Sequence, residues 1–145
     1  MKLFQIEEPD GSPTDVEGVG AAVGIDVAPG GVGRVAIAVG GNGEILPDAD
    51  GERMLRARDL PDLLLGLRGR AEKQLARPVT HAVIAVEAGD RAGLEAAART
   101  AGLEILRLVD RAIAAALVRD AAPEEAAVLG AAITAEEVMP ASPAA

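Results

Sequence analysis

Asp26 closes an apolar run and opens a glycine-rich knot in the stretch GIDVAPGGVGRVAIAV, residues 24–39. A carboxylate followed by glycines is a pattern that can cradle phosphate. Within it GVGRVA, residues 31–36, satisfies the G-x-G-x-x-A form of a dinucleotide fingerprint. That fingerprint works only where a strand precedes the glycines and a helix follows, so that the helix N-terminus faces the pyrophosphate. Here the glycines are followed by RVAIAVGGNGE, which alternates and then turns. A P-loop is excluded as well, since no Lys followed by Ser or Thr ends the run. Asp26, Gly30, Gly31 and Gly33 remain as candidates for a phosphate loop carried on a hairpin. The plainer alternative is a strand-end aspartate bonding the amides of its own turn.

Two further acids end apolar segments, Glu87 after THAVIAV and Asp110 after LEILRLV. With Asp26 they could converge at one sheet edge and hold Mg²⁺ or Mn²⁺, as in a metal-dependent nuclease. Arg111 beside the site and the lack of a basic groove weigh against that. The single histidine, His81, begins a strand. With no cysteine in the chain it makes neither a zinc site nor a Ser-His-Asp triad. Arg53, Arg56, Arg58, Arg68, Arg70 and Arg77 could form an anion-binding face. Interspersed with Asp62 and Glu72, they read better as the solvated side of a helix.

Positioning these groups requires strands and helices in a definite order. AAVGIDV reads as a buried strand, RVAIAV as a second with period-two alternation, and EILP as a short third beyond an Asn42-Gly43 hairpin turn. The pattern then becomes helical. Leu60, Leu63, Leu64, Leu67, Ala71 and Leu75 share one face, with Asp59 as a cap and Pro61 in the first turn. Residues 80–87 form a strand, 90–102 a helix stopped by Gly102, 103–109 a strand, and 111–120 a helix. Pro123 starts a last helix with Glu124 and Glu125 in its first turn. Right-handed crossovers make the last two strands parallel to the first. The expected fold is therefore α/β: a ribonuclease H-like, actin-type mixed sheet of five strands in the order 3-2-1-4-5, with helices on its faces. Actin-like ATPases carry phosphate on a hairpin of this kind.

Composition narrows the partners. Half of the 145 residues are hydrophobic, yet there is one Phe and no Trp or Tyr, so Ala, Val, Leu and Ile must pack the core. The net charge of −9 sits at the ends: five acids against one lysine in residues 1–20, and five acids with no base in residues 120–145. Such a surface repels nucleic acid. No apolar stretch spans a bilayer and no cysteine is present, which fits a cytoplasmic protein. The acidic, Gly- and Pro-rich residues 1–19 read as a flexible lead-in, 20–138 as one domain, and 139–145 as a flexible tail.

Three blocks carry a family resemblance: AGLEIL at 101–106, AAAL at 114–117 and PEEAAVLGAA at 123–132. With the strand–glycine–strand opening they resemble the nucleotide-binding domain of the 70-kilodalton heat-shock, DnaK-type chaperones. The resemblance covers about 20–138 and implies the first lobe alone. In the family a large second lobe separates the A-A-A-L helix from the P-D-E-A helix, where here two alanines separate Asp120 from Pro123. Asp26 corresponds to the aspartate that the family uses through water near Mg²⁺. The family's hydroxyl-bearing G-T-T is replaced by APGGVGR, and Pro29 removes one backbone N–H. The N-E-P-T glutamate, which works near the attacking water, corresponds to Arg111, with Ala112 and Ile113 after it.

The expectation from sequence is accordingly a protein that is not an enzyme and binds no cofactor. It is a DnaK-like lobe acting as an interaction or assembly factor, or as an accessory subunit of a larger complex. Its partner would be another protein chain or a second copy, docked on surfaces freed by loss of the second lobe. The last helix, apolar nearly all round, offers Val128, Leu129 and Ile133 as interface candidates. The alternative is an ATP-binding protein, with Mg, that completes its cleft with a partner chain. The metal-dependent nuclease stands third.

Overall fold

Apolar residues alternate with small ones through the opening strand because both of its faces are covered, one by large side chains and one by a close helix. The computed structural model describes residues 20–139. The acidic lead-in over 1–19, and all of the 139–145 tail except Met139, lie outside the described residues. Strand β1 (Ala21–Ala28) pairs antiparallel with β2 (Val32–Val39), and β2 with β3 (Asn42–Ile45). β5 (Val79–Val86) lies parallel to β1, and β6 (Glu104–Asp110) parallel to β5. The order is β3-β2-β1-β5-β6, the expected mixed actin-type arrangement, extended by a two-residue strand β4 (Leu55–Arg56) that pairs with the start of β2.

The β2–β3 turn falls two residues earlier than expected. Val39 pairs with Asn42, which leaves Gly40 and Gly41 as the turn, at φ 61 and 83. Positive φ at both central positions is the type I′ signature, and Gly-Gly adopts it with no Cβ penalty, so it outcompetes Asn-Gly. The Glu136 carboxylate accepts from both turn amides, at 2.6 Å from Gly40 N and 2.9 Å from Gly41 N.

Helix α1 (Leu60–Leu75) starts as its sequence dictates: the Asp59 side chain accepts from Asp62 N, and proline stands in the first turn. Helix α2 (Leu94–Thr100) is shorter than the expected 90–102. Residues Ala88–Asp90 form a 3-10 turn, and Gly93 at φ 76 interrupts the path into the helix. Helix α3 (Arg111–Ala115) is also shorter than expected. The amides of Leu117 and Val118 bond three residues back, tightening the helix to its end. Helix α4 (Pro123–Val138) runs its full predicted length.

The two faces of the sheet differ in kind. Val23, Ile25, Val27, Val35, Ile84 and Val86 pack with Leu63, Leu64 and Leu67 of α1 and Leu94 of α2. The opposite face carries Gly24, Ala36, Val83 and Ala85 under α4. A side-chain carbon on Gly24 would collide with the backbone at Ala131 and Ala132, so the helix lies directly on the strand. A carbon on Gly130 would likewise meet the Ala114 carbonyl, which seats α3 against the far side of α4. This corrects the expectation for the last helix: the sheet covers one face and α3 another. Val128 is fully buried among Ala36, Ile45 and Ala132, while Leu129 and Ile133 are half-buried, with Leu129 lying over Gly43. Small residues allow this close stacking, and the described core contains no aromatic side chain.

Candidate functional site

Asp26 is fully buried, and its β1 position turns it to the α3–α4 side of the sheet, the same side as Gly24. A buried carboxylate must be matched by charge and hydrogen bonds. Arg111, the first residue of α3, does this in bidentate fashion. Its Nε donates to Oδ1 at 2.7 Å and its Nη2 to Oδ2 at 3.1 Å. Its Nη1 also reaches Glu87 Oε2 at 3.3 Å, just past the end of β5. Arg34, opposite Asp26 on β2, places Nη1 3.9 Å from Oδ2. The hydrogen bond to Asp26 is the main cause that raises the Arg111 pKa above its ordinary value, with Glu87 adding a smaller effect.

The third carboxylate does not join them. Asp110 caps α3, accepting from Ala112 N at 2.8 Å. No group of three His, Cys, Asp or Glu side chains able to hold a metal ion occurs among the described residues. The convergence of Asp26, Glu87 and Asp110 on a cation is therefore corrected. A guanidinium lies between the first two, and the third is engaged with its own helix. The nuclease reading loses its geometric basis.

The glycine loop is a separate feature. Ala28 pairs with Val32, so Pro29, Gly30 and Gly31 form the whole connection, with Gly30 at φ 88 and Gly31 at φ 77. Gly31 lends its carbonyl to Ala57 N, and no side-chain carbon would fit between it and the Ala57 carbonyl. Gly33 lies in β2 against Leu67 and Leu63 of α1 and lines no loop. A cavity of about 340 Å³ beside Pro29, Gly30 and Gly31 is walled by Leu60 and Leu63, on the α1 side, with Arg58, Asp59 and Asp90 at its rim. Asp26 is not among its walls and faces the other side of the sheet. The structure thus brings Asp26 together with Glu87, Arg34 and Arg111, and does not bring it together with the loop.

Three of the arginines expected on a solvated helix face, Arg53, Arg68 and Arg70, are instead engaged with other parts of the fold. Arg68 donates to the carbonyls of Val79 and Ala101. Arg70 donates to those of Glu52, Arg53 and Met54, and Arg53 pairs with Glu125. His81 Nδ1 lies 2.7 Å from Thr80 Oγ1, and its Nε2 lies 3.5 Å from Glu104 on the neighbouring strand. Two roles were invisible from sequence spacing: Arg111 as partner of Asp26, 85 residues away, and Glu136 as clamp of the Gly40–Gly41 turn. The reversed charge at 111 was the only signal for the first, and nothing local marked the second.

A mixed sheet of this order, with helices on both faces and a buried acid in the first strand, defines an actin-like, ribonuclease H-like α/β protein. Within that class, the model of the Hsp70 protein family matches residues 36–129, and the chain belongs to that family as a piece of its nucleotide-binding domain. The matched stretch begins inside β2. Glu87, Asp110 and Arg111 fall within it, while Asp26 and the glycine loop precede it. The Mg²⁺ and nucleotide phosphates that the family implies do not fit the residues present. Both oxygens of Asp26 are held by Arg111, the loop carries no hydroxyl, and Pro29 has no N–H to donate. No helix among the described residues is long and apolar enough to cross a membrane.

Proposed function

We propose that the chain is a non-catalytic Hsp70-type lobe, acting as a protein-interaction or assembly factor or as an accessory subunit of a larger complex. The observation that carries this is the bidentate Arg111–Asp26 pair. It puts a fixed positive charge where nucleotide chemistry needs a free carboxylate. Hydrolysis needs a general base, whereas here Asp26 is neutralised and the position matching the family's glutamate is the neutralising residue.

Interaction is supported by the surface of α3. Ile113 is 65% exposed and Leu117, four residues on, 53% exposed, each preceded by an exposed alanine, Ala112 and Ala116. This apolar patch, and not α4, is the surface through which a protein partner or a second copy would dock.

Calorimetric titration with ATP and Mg²⁺ tests the proposal, on the chain alone and with any co-purified protein. The expected result is no heat of binding from the isolated chain. Micromolar binding by the chain alone would overturn it. Binding that appears only with a partner would favour a shared nucleotide cleft.

A further inference from the structure

Resting on the reading of the chain as a lobe that works without nucleotide, we infer that Arg111 is a tethered cation. Its guanidinium supplies, from within the chain, the positive charge that Asp26 and Glu87 would otherwise draw from a divalent metal ion. The three strands concerned lie side by side and parallel, with Asp26 opposite Ala85 and Val86 opposite Asp110. Glu87 follows Val86 directly, so three acidic residues fall at one end of the sheet. That end, beyond the carboxyl termini of parallel strands, is where open α/β sheets place ligands.

Asp26 is inaccessible to water, and a bare carboxylate there would cost several kcal/mol of desolvation. A divalent ion would answer that cost by coordinating oxygens at about 2.1 Å and bridging to a second acid. The guanidinium makes the same bridge, with two donors on Asp26 and a third on Glu87. Its charge is covalently held and cannot dissociate. With Arg34 at 3.9 Å, two bases face the two acids Asp26 and Glu87, while Asp110 is engaged with the first turn of its own helix. Asp110 fixes the first turn of α3 and so aims the Arg111 side chain back over the strand ends. One arrangement of β1, β5 and α3 is therefore held whether or not any ligand is present.

The test uses the full chain and Mn²⁺. In Arg111→Gln, electron paramagnetic resonance should detect one bound Mn²⁺ per chain at millimolar metal or below. The thermal midpoint should rise above that in NaCl of equal ionic strength. Wild type should bind no Mn²⁺, and neither should Arg111→Lys, which keeps the charge. If Arg111→Gln unfolds without metal, refolding in Mn²⁺ should recover it. A folded Arg111→Gln that binds no Mn²⁺, refolding that Mn²⁺ does not improve, or equal Mn²⁺ binding by wild type or Arg111→Lys would each overturn the inference. None of these outcomes depends on ATP, so this inference and the proposed function fail separately.

Discussion

Asp26 holds a charge in a place without water, and Arg111 is the reason it can. Removing one partner of a buried pair strands the other, so Arg111→Met is expected to lower unfolding free energy by about 3–5 kcal/mol in urea titration. The double variant Asp26→Asn, Arg111→Met should recover part of that loss, because no buried charge then remains unmatched on β1. Strict additivity of the two single changes would show that the pair is not coupled. Arg111 has a raised pKa, so its contribution is fully present below the ordinary arginine value and is lost only as pH climbs beyond it. Stability from this group is therefore flat across the neutral and alkaline range. Asp48 works in the opposite sense. Its carboxylate accepts from Asp50 N and Glu52 N, and its pKa is lowered, chiefly by the bond from Glu52. Its ordering of the 48–52 loop is present above the usual carboxylate range and is lost as pH falls through the lowered value. Amide exchange at Asp50 and Glu52 should quicken there, and Asp48→Ala should abolish the acid dependence.

At the scale of elements, backbone proximity decides more than side-chain size. Gly130 lies against the Ala114 carbonyl with no room for a methyl group, whereas a carbon on Gly69 of α1 would meet nothing within 4 Å. Both are helical glycines, and identity alone does not tell them apart. Gly130→Ala should destabilise by about 1–3 kcal/mol or more, through overpacking between α3 and α4. Gly69→Ala should stabilise by about 0.5–1 kcal/mol through helix propensity. Equal effects in thermal melts would refute the close seating of α4. The same contrast explains what the sequence could reveal. The strand order, the Asp59 cap and the leucine face of α1 were legible because each follows from local spacing. The Gly40–Gly41 turn was misplaced by two residues because two glycines competed with Asn-Gly, and the clamp that Glu136 sets on them comes from 95 residues away. The apolar circumference of α4 was read as contact on two faces, the second with another chain, whereas Val128 is buried within this chain and Leu129 and Ile133 are half-buried. That α3 supplies the second cover is a tertiary fact with no periodicity to announce it. Asp26 was legible as a singular acid, but its partner could be recognised only as a charge of the wrong sign.

For the whole molecule, the question is which surface the described residues leave open. Its interior is closed on itself, since Val128 is buried and the small-residue face of the sheet lies under α4. The exposed large apolar residues among those described are Val39, Leu65, Ile113 and Leu117, and only the last two lie within one helical turn of each other. Single exposed apolar residues are ordinary, whereas a pair spaced four apart on a helix end presents a patch. Replacing Ile113 and Leu117 together by Asp removes that patch while touching no buried contact. The unfolding free energy should then change by no more than about 0.5 kcal/mol. Light scattering discriminates the alternatives. If α3 joins two copies, wild type should show a dimeric mass and the double variant a monomeric one at the same concentration. If α3 docks a different protein, both should be monomeric, and only wild type should shift to a larger complex when a co-purified partner is added back. A double variant that keeps its assembly state and its partner would remove α3 from the interface.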